Sequence, residues 1–121
     1  MEIKMAHIEL LVEDVVINKW DLDEEVVILG RSKDCDIQID DQSVSSKHAR
    51  VVAEEDEFLQ GNSNFYLEDL KSTNGTELND KPVRRQKLAD GDLIKIGFTQ
   101  FRFIENQANL LDQTAVILQD G

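Results

Sequence analysis

The sequence predicts an all-β protein, an antiparallel sandwich or barrel, and three observations carry that reading. Short runs rich in Val, Ile, Leu and Phe recur along the chain, each about the length of a strand and too short for an amphipathic helix. Several alternate apolar with polar residues, as in Asp36–Asp40 (DIQID) and Phe101–Glu105 (FRFIE), which is the period of a sheet with one buried face. Between the runs lie turn-forming clusters at Glu13–Asp14, Gly61–Asn64, Ser72–Gly75, Asn79–Pro82 and Ala89–Asp92.

Taken in order, strands are predicted at His7–Val12, Val15–Trp20, Glu25–Leu29, Asp36–Ile39, His48–Ala53, Asn64–Asp69, Leu93–Ile96 and Thr99–Ile104. Strands at this spacing, with no sustained helical period between them, point away from an α/β fold. At 121 residues the chain is about one domain. That domain is placed at residues 1–104. The stretch after it, 105–121, is an extra strand, a short helix or a flexible extension.

Composition narrows the function classes. The formal net charge of −12 argues against nucleic acid and against an anionic membrane surface as partners. No apolar run approaches the roughly 18–20 residues of a membrane span. Acids interrupt the N-terminal stretch where a secretory signal needs an apolar core. The single Cys35 has no disulfide partner and no neighbours at metal-ligand spacing, so a reducing, cytoplasmic setting without metal or cofactor is expected. The charge is uneven. Residues 1–29 carry two bases against eight acids, whereas residues 71–95 carry six bases against four acids.

Three polar clusters stand at strand ends. Gly30–Arg31 places a guanidinium, a fork suited to phosphate or carboxylate, directly after a strand. Ser43–Val52 (SVSSKHARVV) pairs Ser45 with His48 three residues on, which raises a hydrolytic reading. No sharp nucleophile elbow accompanies the pair, so His48 is expected to be a structural imidazole bonded to backbone. The third cluster, Leu67–Asp80, contains Asn74–Gly75, a tight-turn signal in which Gly75 takes positive φ and leaves Thr73 and Asn74 at a loop tip. Asp34, Asp36, Asp40 and Asp41 lack the glycine and terminal glutamate of a calcium loop and are read as solvated acids. Glu54–Glu57 is read as a solvated strand end or loop.

In order, Gly30–Arg31, Ser45–His48 (SSKH), Ser72–Thr76 (STNGT) with Asn79 following, and Asp90–Gly97 (DGDLIKIG) resemble the motifs of the forkhead-associated (FHA) domain. The resemblance covers roughly residues 5–104. It implies a β-sandwich of about eleven strands whose loops at one end bind threonine-phosphorylated peptides made by a Ser/Thr kinase. It assigns Arg31 and Ser45 to the phosphate, and Thr73 and Asn74 to the phosphothreonine and peptide backbone. Ser46 falls where the family often has a longer donor, so the resemblance implies either a lower affinity or a contribution from Lys47. Gly30, His48, Gly75 and Asn79 fall at supporting positions. Asp80 stands where glycine is usual.

Phosphothreonine-dependent binding is therefore the function expected, without catalysis. The alternative from another class is a phosphate-independent interaction or assembly module on the same fold. Thr114, three residues before Ile117, is a candidate modification site whose phosphorylated form would occupy its own or a neighbouring pocket, giving self-association.

Overall fold

A computed structural model of the chain describes residues 2–55 and 63–109. Eleven strands run β1 (Glu2–Val12), β2 (Val15–Asp21), β3 (Val26–Gly30), β4 (Ile37–Gln38), β5 (Ala49–Glu55), β6 (Ser63–Asp69), β7 (Thr76–Leu78), β8 (Lys81–Pro82), β9 (Arg85–Lys87), β10 (Leu93–Ile96) and β11 (Thr99–Asn109). They form a six-stranded sheet, ordered β2-β1-β11-β10-β7-β8, and a five-stranded sheet, ordered β4-β3-β5-β6-β9. All pairings are antiparallel except the short contact of β3 with β4.

The alternation seen in the sequence becomes the core. Val27 and Leu29, Val51, Phe65 and Leu67, Ile94 and Ile96, and Phe101 and Phe103 point inward from their strands, while the residues between them are at least partly exposed. Phe65 of the five-stranded sheet meets Phe103 of the six-stranded sheet at 5.6 Å between ring centroids, tilted by 55°, so aromatic rings join the layers.

Three strands, β7, β8 and β9, were not among those predicted. They are two or three residues long, too short to show alternation. β7 and β8 pair Leu78 with Lys81 across a two-residue turn. Asn79 and Asp80 take φ of 51° and 69° there, the left-handed pair that such a hairpin needs. Aspartate thus fills the position where glycine is usual. β11 continues past Ile104 to Asn109, paired with β1 as far as Glu2. Residues 110–121, with Thr114, lie outside the described residues.

Candidate functional site

The connections β3–β4, β4–β5 and β6–β7, together with the β10–β11 turn, are tied to one another at one end of the sandwich. Gly30 closes β3, and the β4–β5 loop lies directly on it. A Cβ there would stand 2.2 Å from the Ser46 carbonyl oxygen and 2.9 Å from Cys35 Sγ, so only glycine admits the contact. The same carbonyl accepts from Ser32 N–H at 3.1 Å and from the Cys35 thiol at 3.1 Å. Burial pushes the Cys35 thiol pKa up, which keeps the thiol a donor.

Arg31 follows at once. Its N–H donates to the Ser45 carbonyl at 3.0 Å, and its Nε donates to the Val44 carbonyl at 3.0 Å. That second bond aims the guanidinium. Its two terminal nitrogens make no hydrogen bond among the described residues, and the side chain is exposed.

His48 is fully buried. Its Nδ1 accepts the Ser45 N–H at 3.0 Å, which puts the ring proton on Nε2, and Nε2 donates to the Gly75 carbonyl at 2.7 Å. One imidazole thus joins the β4–β5 loop to the β6–β7 loop. The ring meets the backbone of Ser45, and Ser45 Oγ accepts from Thr73 N–H at 3.1 Å. The arrangement lacks the hydroxyl-to-imidazole bond of an activated nucleophile.

The β6–β7 loop is built on Asp69. Its carboxylate accepts from Ser72 N–H at 3.0 Å, Ser72 Oγ at 2.5 Å and Thr76 Oγ1 at 2.7 Å. Gly75 takes φ of 84° and donates to Ser72 Oγ at 2.9 Å. Thr73 and Asn74 are left exposed at the tip, with Asn74 Nδ2 bonded to the Ser43 carbonyl at 2.8 Å.

Asp41 corrects the reading of the acids. Its carboxylate accepts from Ser43 N–H at 2.9 Å, Ser43 Oγ at 2.5 Å and Phe98 N–H at 2.8 Å, tying the β4–β5 loop to the β10–β11 turn. Asp36 is likewise engaged, accepting Ile28 N–H at 2.8 Å. Neither is a free solvated acid. The missed signal was spacing: Asp41-x-Ser43 and Asp69-x-x-Ser72 place a hydroxyl and an N–H within reach of one short carboxylate.

These carboxylates make the loops acid-sensitive. Burial pushes the Asp69 pKa up, but the hydrogen bonds of Ser72 and Thr76 outweigh it and hold the carboxyl below its ordinary value. Hydrogen bonds from Ser43 and Phe98 lower Asp41 in the same direction. A depressed folded-state pKa stabilises the fold above the unfolded pKa, near 4, and that stabilisation is lost as pH falls through the folded value. Thermal unfolding should therefore be flat from pH 7 to 5 with respect to these groups and fall below about pH 4. In Asp69→Asn the acid-side fall should be smaller; an identical profile would contradict the assignment.

Arg31, Ser45, Thr73 and Asn74 are thus brought onto adjoining loops, with Ser46 and Lys47 exposed beside Ser45, Gly30 and His48 buried beneath, and Gly75 exposed in the turn after Asn74. Asn79 stands apart. At the β7–β8 turn its Nδ2 donates to Asp92 Oδ1 at 3.0 Å, and its Oδ1 accepts Leu93 N–H at 2.9 Å. No group of metal-ligating side chains occurs among the described residues.

The family model of the FHA domain matches residues 27–97, the span that holds the β3–β4, β4–β5 and β6–β7 connections. The chain belongs to the FHA domain family. Glycogen accumulation regulator GarA of Mycobacterium tuberculosis is 40% identical over 83 residues, 69% of this chain and 46% of that protein. The oxoglutarate dehydrogenase inhibitor of Corynebacterium jeikeium is 37% identical over 83 residues, 69% of this chain and 51% of its own length. The chain spans about half the length of these curated relatives. A solved FHA domain, from a structural and functional analysis of phosphothreonine-dependent FHA domain interactions, superposes with a TM-score of 0.69 at 31% identity, covering 83% of this chain and 95% of that one. In this FHA domain the matched span begins within β3 and ends at Gly97, so Arg31, Ser45, Thr73 and Asn74 all lie inside it.

Proposed function

We infer that this FHA domain is a phosphothreonine-dependent protein–protein interaction module, a signalling adaptor that binds a threonine-phosphorylated segment produced by a Ser/Thr kinase. One observation carries the reading: the Arg31 side chain is held through Nε by the Val44 carbonyl, next in the chain to Ser45, and its terminal nitrogens make no hydrogen bond among the described residues. The Ser45 hydroxyl accepts from Thr73 and keeps its own proton to donate. A phosphate dianion is held best by such a set, a charge-assisted fork with neutral donors around it. Thr73 and Asn74 at the facing loop tip supply contacts to the phosphothreonine and the peptide backbone. The set binds without performing chemistry, in keeping with relatives named as a regulator and an inhibitor.

A phosphate-independent reading has an observation of its own. Val15, Val16 and Ile17 on β2, the outermost strand of the six-stranded sheet among the described residues, and Val12 at the adjoining end of β1 expose 44–60% of their surface. Titration with a threonine-phosphorylated peptide library and its unphosphorylated counterpart separates the two. Binding confined to the phosphorylated set supports the adaptor; equal binding of both sets contradicts it.

A further inference from the structure

Lys71 and Arg84 border a cleft of about 510 Å³ together with Asp69 and Ser72. Both cations are exposed, and among the described residues neither side chain makes an ion pair or hydrogen bond. Arg50 on β5 and Arg85 on β9 are committed differently. Arg50 pairs with Glu68, and Arg85 pairs with Glu54 and Glu68 while its guanidinium lies 4.2 Å from the Tyr66 ring centroid. Asp69 borders the cleft too, but both of its oxygens are occupied by Ser72 and Thr76 donors.

The backbone positions the two residues that carry these charges. Asp69 N–H donates to the Arg84 carbonyl at 2.8 Å, and Lys71 is set in the left-handed region at φ of 56°. Ser72 then leads into Thr73, whose N–H meets Ser45 Oγ. The cleft therefore begins one residue from the loop tip assigned to the phosphothreonine. An extended segment advances about 3.3 Å per residue, so a residue a few positions from the phosphothreonine reaches it. On a chain of net charge −12, a pair of cations without acidic partners among the described residues is a local exception to the overall charge.

We propose that the Lys71–Arg84 cleft is a second anion subsite, which takes a carboxylate or a second phosphate carried by the partner segment beside its phosphothreonine. The proposal rests on the phosphothreonine reading above. The test uses three peptides, each with one phosphothreonine: one with neutral flanks, one with Asp and Glu flanks, and one with a second phosphothreonine. Affinities are measured for the wild type, for Lys71→Gln/Arg84→Gln, and for a control, Lys19→Gln/Lys81→Gln, that removes the same charge elsewhere.

The wild type and the control should bind at least one anionic peptide about fivefold more tightly than the neutral one. The Lys71→Gln/Arg84→Gln protein should lose that preference while binding the neutral peptide within twofold of wild type. A gain confined to one anionic peptide identifies carboxylate or phosphate as the ligand. A wild type without preference overturns the subsite and leaves the phosphothreonine reading intact. So does a preference that survives in Lys71→Gln/Arg84→Gln or vanishes equally in the control. A wild type that binds none of the three overturns both.

Discussion

Arg31→Ala is expected to weaken binding of a threonine-phosphorylated peptide by about 100-fold or more. Each hydrogen bond to a charged group is worth about 1.5–3 kcal/mol, and two terminal nitrogens are removed, so a loss of about 3 kcal/mol corresponds to two decades of affinity. The fold should hardly notice. The side chain is exposed, and the one internal bond lost is Nε to the Val44 carbonyl, worth about 1 kcal/mol. Arg31→Lys should fall between, keeping the charge but losing the fork. Calorimetric titration beside a melting curve checks the pair. Unchanged affinity in a folded Arg31→Ala protein would remove the guanidinium from the site.

His48→Ala is expected to have the opposite signature, a large loss of stability that carries binding with it. The substitution leaves a cavity where a fully buried ring stood and strips the Ser45 N–H and the Gly75 carbonyl of their partner. Together these cost about 3–5 kcal/mol, a fall in Tm of roughly 10–20 °C for a domain of this size. Affinity should drop as well, because Ser45 and Thr73 sit on the two loops that the ring joins. His48→Asn, which retains a donor and an acceptor on a shorter side chain, should recover part of both. A melting curve unchanged in His48→Ala would show that the imidazole does not hold the loops.

The long strands were legible because each buries one face, so Val27–Leu29 or Phe101–Phe103 write their packing into the sequence as alternation. β7, β8 and β9 were not, since two or three residues cannot display a period and their pairing is set by tertiary context. The turn at Gly75 was legible from its Asn-Gly pair, and its φ of 84° agrees. His48 was legible as a structural residue, and both of its ring partners are backbone groups. Asp41 and Asp69 were hidden because an acid in a polar loop looks alike whether solvated or bonded. Only the fold shows that Phe98, far along the chain, turns back to donate to Asp41.

The most direct measurement is amide chemical-shift mapping of the labelled protein during titration with a threonine-phosphorylated peptide that binds it. The account predicts perturbations concentrated at Arg31, Ser45, Ser46, Thr73 and Asn74, absent when the unphosphorylated peptide is added. Perturbations centred on Val15–Ile17 at the β2 edge, and equal for both peptides, would contradict it.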